Sequence, residues 1–187
     1  MMKNAVLTGR EELFAGKFIK LEKVEYSDRN GVTRQWEAAQ RVRSSGAAVL
    51  IPKLVPSGKY LLIRQFRPPC GAYVIEFPAG LIDPGESVEE TAHRELYEET
   101  GYRGKITRTF PMCCSSPGLT GECFATAFME IDETLFPETP EQHLESTEDI
   151  ELFAVTPQEI PAFLAEARAR GDVIDAKIEF FFALCKE

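Results

Sequence analysis

Histidine, tryptophan and basic residues are all scarce in this chain. There are two histidines, one tryptophan, and 21 Lys plus Arg against 30 Asp plus Glu, a formal net charge of −9 over 187 residues. Binding to a nucleic-acid backbone needs a basic footprint, so this balance argues against a nucleic-acid partner. It leaves room for a small anionic substrate, provided that metal ions and a few local arginines offset the charge. No apolar run approaches the roughly 18 residues of a membrane span. Met1 to Arg10 contains no signal-peptide core, so a cytoplasmic protein with no membrane partner is expected. The five cysteines (Cys70, Cys113, Cys114, Cys123 and Cys185) form no CxxC, and only His93 and His143 could join them. A zinc site is therefore not expected, and the thiols are read as reduced and packed as small hydrophobes.

The rest of the composition is that of an ordinary globular protein, 44% hydrophobic and 27% charged. The length suits one domain with room for a small appendage. Lys17 to Tyr26 and Val32 to Arg43 read as strands on either side of an Asp28-Arg29-Asn30-Gly31 turn. They make residues 1–43 a small β subdomain that must pack on the main body or on a second copy of the chain. Residues 44–187 form the main domain. Strands are expected at Ala47 to Val55, Tyr60 to Phe66 and Val74 to Phe77, with Pro78-Ala79-Gly80 breaking the last. Ser87-Val88-Glu89-Glu90 fits a capping box, so a helix should run from Val88 to Thr100 and stop at Gly101. Further strands are expected at Lys105 to Met112, Glu122 to Ile131 and Ile150 to Val155. Asp132 to Asp149 reads as a long mobile loop. Thr156 to Glu159 is a second capping-box pattern, for a helix that reaches Arg170 with Pro161 disturbing its first turn. Asp175 is placed to cap a last helix ending at Cys185.

The informative segment is Gly80 to Tyr102, GLIDPGESVEETAHRELYEETGY. Its helix places Glu95, Glu98 and Glu99 at i, i+3 and i+4, within an arc of roughly 100°. Carboxylates stacked in this way repel one another. Glu86 and Glu89 add to the charge, and a Gly/Pro loop folds ahead of the helix. Hard divalent cations, Mg²⁺ or Mn²⁺, explain such a cluster most directly. Arg94 sits where it could orient the carboxylates from behind. From the residues alone, Trp36 is a core residue of a strand, Arg67 a surface residue and Pro117-Gly118 a turn.

The segment resembles the Nudix box, G-x5-E-x7-R-E-U-x-E-E-x-G-U. Gly80, Glu86, Arg94, Glu95, Leu96, Glu98, Glu99 and Gly101 fall on its positions, and only Tyr102 replaces the usual aliphatic residue. The resemblance implies the Nudix fold, an α/β/α sandwich around a mixed sheet, and metal-dependent hydrolysis of a nucleoside diphosphate linked to another moiety. The chain is similar to the ADP-ribose pyrophosphatase branch over nearly its whole length, from about Lys17 to the C-terminal helix. Pro117 lies 16 residues past Gly101, and Arg64-Gln65-Phe66-Arg67-Pro68-Pro69 and Glu76-Phe77-Pro78-Ala79-Gly80 also resemble that branch.

Carried over by position, the resemblance makes Glu95, Glu99 and the Ala79 carbonyl metal ligands, with Glu98 a ligand or acting through water. Glu148 matches a proposed general base. Arg67 would hold the diphosphate, and Leu81, Ser116, Gly118 and Leu119 would line the terminal ribose pocket. Trp36 would stack on adenine with Phe18 reaching in from a partner subunit of a homodimer, and Glu37 and Arg41 would contact the base or nearby phosphates. The implied reaction splits ADP-ribose into AMP and ribose 5-phosphate. Other nucleoside diphosphate sugars or an oxidised nucleoside diphosphate are alternative substrates. A non-catalytic nucleotide sensor is the alternative of a different class, usually marked by lost box glutamates; here all are present.

Overall fold

The computed structural model describes residues 4–44 and 46–184. The N-terminal part is a three-stranded antiparallel sheet of β1 (Val6–Ala15), β2 (Ile19–Ser27) and β3 (Thr33–Arg41), in that order. Asp28 builds the β2–β3 turn by accepting the N–H groups of Asn30 (2.9 Å) and Val32 (3.0 Å). Strand β1 has no clear sequence signature, because Val6–Ala15 mixes apolar and charged residues without clean alternation.

The main sheet is built from β4 (Ala47–Val55), β5 (Tyr60–Arg67), β6 (Ala72–Glu76), β7 (Ala79–Leu81), β8 (Lys105–Cys114), β9 (Cys123–Asp132), β10 (Ile150–Val155) and β11 (Val173–Ile174). Its order is β11-β6-β5-β4-β9-β8, with β10 on β5 and β7 on β4. The sheet is mixed: β4 and β9 are parallel, as are β6 and β11, and the other pairs are antiparallel. Three helices complete it: α1 (Val88–Thr100), α2 (Ile160–Ala169) and α3 (Ala176–Leu184).

Strand β4 shows why the fold is a sandwich. Successive strand side chains point to opposite faces. Val49 and Ile51 join Leu62, Ile75 and Phe77 beneath α2 and α3, packing on Leu164, Ile178 and Phe182. Ala48, Leu50 and Leu54 join the other core, under Ala92 and Leu96 of α1. Helices thus cover both faces of the mixed sheet, the α/β/α arrangement expected. Among the described residues, no helix is long and apolar enough to cross a membrane.

Several expectations need correction. Pro78-Ala79-Gly80 does not simply break the chain, because Ala79–Leu81 pairs antiparallel with Ala47–Val49 of β4. The acidic segment after β9 is not a free loop. It turns at Glu133–Leu135 and then runs along the end of α1, where the His143 N–H donates to the Glu98 carbonyl (2.8 Å) and Gln142 Nε2 to the Glu99 carbonyl (2.6 Å). Helix-end carbonyls need partners, and this segment supplies them. Helix α2 begins later than its capping-box pattern, at Ile160, although Glu159 still accepts the Thr156 N–H (2.9 Å). Asp175 does cap α3, accepting the Lys177 N–H (2.7 Å). Cys70, Cys113 and Cys114 are exposed rather than packed as small hydrophobes, while Cys185 lies outside the described residues.

Candidate active site

Helix α1 carries the acidic cluster, and both its ends are sealed locally. The Ser87 hydroxyl accepts the Glu90 N–H (3.1 Å) and Glu90 accepts the Ser87 N–H (2.8 Å), completing the capping box. At the other end Gly101 takes a left-handed conformation, φ 74°, and its N–H donates to the Tyr97 carbonyl (2.8 Å). The helix packs Ala92 and Leu96 into the core, which turns Glu95 and Glu99 inward toward β7.

There the backbone and the carboxylates nearly touch. A Cβ at Gly80 would lie 1.6 Å from Glu95 Oε1, so only glycine lets that carboxylate rest against β7. The Ala79 N–H donates to Glu99 Oε2 at 3.0 Å. Glu99 is 2% exposed. Burial raises its pKa well above the usual carboxylate range, and the Glu95 charge adds to the effect. Burial likewise pushes Glu95 up to about 7; Arg94 opposes this, and Glu98 and Glu148 reinforce it.

Arg94 gathers the surrounding charges. Its guanidinium donates to Glu86 Oε1 and Oε2 (both 2.9 Å), Glu95 Oε1 (2.6 Å), Glu98 Oε2 (3.0 Å) and the Leu81 carbonyl (3.1 Å). Its hydrogen bonds hold Glu86 down to about 2. Among the described residues, no three acidic, imidazole or thiol side chains converge as a metal site in this arrangement. The contacts explain why: Arg94 draws Glu95 and Glu98 to itself, while the Ala79 N–H holds Glu99. In kind, the donors suit a hard divalent cation, since two buried carboxylates of raised pKa stand against a backbone that only glycine allows so close.

Glu148 opens onto the same place. A cavity of about 270 Å³ is lined by Ala79, Gly80, Arg94, Glu95, Glu98 and Glu148, among others. Glu148 itself accepts the Glu145 N–H at 2.9 Å. The other side of β7 borders a second cavity, about 180 Å³, into which Arg67, Arg41 and Leu81 project. Arg67 Nε donates to Glu76 Oε1 (2.8 Å), and Arg41 is paired with Glu122. Glu76, Glu122 and Lys177 also line this second cavity and are not among the residues expected from the sequence. Glu76 stands in the quoted Glu76-Phe77-Pro78-Ala79-Gly80 run, the one signal that could have found it. Glu122 and Lys177 reach the cavity only through tertiary folding.

The expected aromatic residues lie elsewhere. Trp36 is 52% exposed, not part of the core, and its Nε1–H donates to the Gly118 carbonyl (3.1 Å). With Leu119 and Pro117 it lines a separate cavity of about 410 Å³ on the N-terminal sheet. Phe18 is 69% exposed and lines another cavity, of about 520 Å³, beside Arg41 and Leu81. Ser116 shapes the loop rather than either cavity, its carbonyl accepting the Leu119 and Thr120 N–H groups (2.9 Å each). Glu37 stands opposite Lys23 in the β2–β3 register. Within one chain, therefore, Trp36 and Phe18 do not face a common cavity.

Comparison with known proteins agrees with this architecture. The NUDIX domain model matches residues 44–176. The chain is 40% identical over 173 residues to an ADP-ribose pyrophosphatase of Saccharomyces cerevisiae, covering 87% of this chain and 74% of that protein. It is 43% identical over 122 residues to a mouse ADP-sugar pyrophosphatase, covering 62% of this chain and 56% of that protein. An ADP-ribose pyrophosphatase of Bacillus subtilis is 32% identical, with 91% and 86% covered. A crystal structure described as an ADP compounds hydrolase shares the fold, with a TM-score of 0.65 at 21% identity over 87% of this chain and 85% of that one. With the domain matched over most of its length and the box residues gathered on α1 and β7, the chain belongs to the Nudix hydrolase family.

Proposed function

We propose that this protein hydrolyses the diphosphate bond of ADP-ribose to AMP and ribose 5-phosphate. The observation that carries the reading is the pair of buried carboxylates, Glu95 and Glu99, held against Ala79 and Gly80 one strand away from the Arg67 cavity. Relatives from yeast and Bacillus subtilis bear the name ADP-ribose pyrophosphatase.

Nudix hydrolases generally use divalent metal ions, and Mg²⁺ is the cation assigned here, with Mn²⁺ as a substitute. Glu95, Glu99 and the Ala79 carbonyl would hold it, with Glu98 beside them. When bound, such a cation supplies Lewis acidity and charge neutralisation at the diphosphate. Arg67 holds the diphosphate by charge. Glu148 takes the proton from the attacking water, a role that its place in the Glu95–Glu98 cavity permits. Leu81, Ser116, Gly118 and Leu119 are assigned to the terminal ribose, although within one chain Leu81 and Leu119 line different cavities, and Glu37 and Arg41 to the base or nearby phosphates. Residues 1–43 act as a dimer-forming unit, so that Trp36 of one subunit and Phe18 of its partner clasp the adenine. The protein works in the cytoplasm as a homodimer.

The test is AMP formation from ADP-ribose with Mg²⁺, compared by kcat/KM across a panel of nucleoside diphosphate sugars and oxidised nucleoside diphosphates. Preference for ADP-ribose supports the reading. A clear preference for another sugar nucleotide would move the assignment within the family, where the mouse relative is named for ADP-sugars generally. Binding without any turnover would point instead to a nucleotide sensor.

A further inference from the structure

The loop between β8 and β9 carries three of the proposed substrate-binding residues, Ser116, Gly118 and Leu119. It is also the main tie between the two sheets. Trp36 Nε1 donates to the Gly118 carbonyl, the Ala39 N–H donates to the Leu119 carbonyl (2.9 Å), and Arg41 pairs with Glu122. Ser115 and Glu122, at the two ends of the loop, line the Arg67 cavity together with Phe124. Whatever moves the neck of this loop moves the wall of that cavity.

Two thiols stand across that neck. Cys114, the last residue of β8, is in register with Cys123, the first of β9. Their Sγ atoms are 4.0 Å apart. The Ser115 N–H donates to the Glu122 carbonyl (3.2 Å), which makes Cys114 and Cys123 a non-hydrogen-bonded antiparallel pair. Such pairs bring the two Cα atoms closest, about 4.5 Å apart, within the range a disulfide spans. Cys114 is exposed, and Cys123 is half-buried. Cys113, the adjacent residue, is in register with Phe124 rather than with a thiol, and its Sγ points at the Pro111 carbonyl (3.5 Å).

We propose that Cys114 and Cys123 are a redox-sensitive pair, joined by a peroxide-class oxidant into a cross-strand disulfide that clamps the loop and weakens substrate binding. The exposed Cys114 thiolate attacks one peroxide oxygen, breaking the O–O bond and leaving Cys114 as a sulfenic acid with release of hydroxide. The Cys123 thiol then attacks that sulfur, the S–O bond breaks, and the oxygen leaves as water with the Cys123 proton. Overall, two thiols and hydrogen peroxide give one disulfide and two waters, with two electrons passing from sulfur to oxygen. Cys114 meets the oxidant first because it is exposed, whereas the half-buried Cys123 stands in register across the neck to resolve it. Drawing the sulfurs from 4.0 Å to bonding distance pulls Ser115 and Glu122 with them and restricts the cavity wall that they form. Glu95, Glu98 and Glu99 stand on α1 rather than on this loop, so the effect falls on KM more than on kcat.

The effect on substrate rests on the ADP-ribose reading, whereas the thiol chemistry does not. The full-length protein is treated with hydrogen peroxide and cleaved after Glu122, which separates Cys113 and Cys114 from Cys123. Mass spectrometry should show these fragments joined, with the loss of two hydrogens. The link should persist in Cys113→Ser and vanish in Cys114→Ser and Cys123→Ser. The oxidised wild type should show KM for ADP-ribose raised about fivefold or more, the low end of ordinary site-to-site couplings. Dithiothreitol should reverse the change, and Cys114→Ser should not show it. A link through Cys113, no link at all, or a disulfide that leaves KM unchanged would overturn the proposal. If the reduced protein does not hydrolyse ADP-ribose but the disulfide still forms, the substrate assignment fails instead. In that case the panel's preferred nucleotide takes its place in the KM comparison, and the same two outcomes decide.

Discussion

Glu95 and Glu99 are acids that the fold holds under-solvated and close together, so their protonation should show in the stability of the protein itself. The folded Glu95 pKa of about 7 lies above the ordinary value of 4.5, and Glu99 is shifted in the same direction. Between those values the folded state holds more protons than the unfolded state, so stability must fall as pH rises from about 4.5 through about 7. The contribution is fully present below the unfolded pKa and is lost once the pH passes the folded one. Thermal melts in a chelator should therefore show Tm decreasing over that window, and saturating Mg²⁺ should flatten the decrease. A metal-free Tm that climbs steadily through pH 7 would contradict the placement of these acids. Glu148 is a different case, because its assigned work is proton transfer. Glu148→Gln should lower kcat on the order of 100-fold while leaving KM within about threefold, as expected when an interaction made only in the transition state is removed. A nearly active Glu148→Gln beside a crippled Glu145→Gln would transfer the role to Glu145. The box acids were legible in the sequence because their partners lie within one helix and its preceding loop. The pairs Arg67 with Glu76 and Arg41 with Glu122 were not, since pairing across strands leaves no local spacing to read.

Helix α1 was legible to the residue because both of its stops are local: Ser87 with Glu90 at one end, Gly101 at the other. Strand β7 was not, since Pro78-Ala79-Gly80 looks like a breaker and its pairing partner, β4, lies about thirty residues earlier in the chain. Nor was the packing of the acidic loop, which is ordered by the carbonyls at the end of α1 rather than by anything in its own composition. Two glycines at these junctions predict opposite outcomes. At Gly80 an added Cβ meets the far end of a side chain, the Glu95 carboxylate. Gly80→Ala should leave the fold intact, displace Glu95 and cut turnover on the order of tenfold to 100-fold, with weaker Mg²⁺ binding. At Gly101 the φ is +74°, and an added Cβ would sit 2.3 Å from the Glu141 carbonyl oxygen, which is backbone. Gly101→Ala should instead destabilise the protein by about 1–3 kcal/mol while the folded fraction keeps its turnover. Calorimetry together with activity per folded molecule separates the two. Equal stability losses at both positions would mean that Glu95 is not resting against β7.

At the scale of the whole molecule, the N-terminal sheet stands apart from the main sheet and is joined to it chiefly through the β8–β9 loop. It leaves Val6, Leu7, Phe14, Phe18, Ile19 and Trp36 exposed, an apolar display that a three-stranded sheet does not keep in water without cause. Trp36 and Phe18 open onto different cavities of the one chain, so a clamp made of both requires a second copy. An adenine ring held between two aromatic faces gains roughly 1–3 kcal/mol from each, by analogy with bases stacked on protein aromatics. Trp36→Ala should then raise KM for ADP-ribose about tenfold or more, at about 1.4 kcal/mol per decade, and Phe18→Ala should act similarly. Both should spare kcat, since the adenine is remote from the bond being broken. Mixing the two variants tests the sharing directly. If each pocket takes one aromatic from each subunit, a mixed dimer has one pocket with both rings and one with neither. Low-KM activity should reappear at about half the wild-type amplitude per mixed dimer, though neither variant alone possesses it. A fully active monomer, or no recovery in dimers verified to be mixed, would show that the adenine is held by one chain alone.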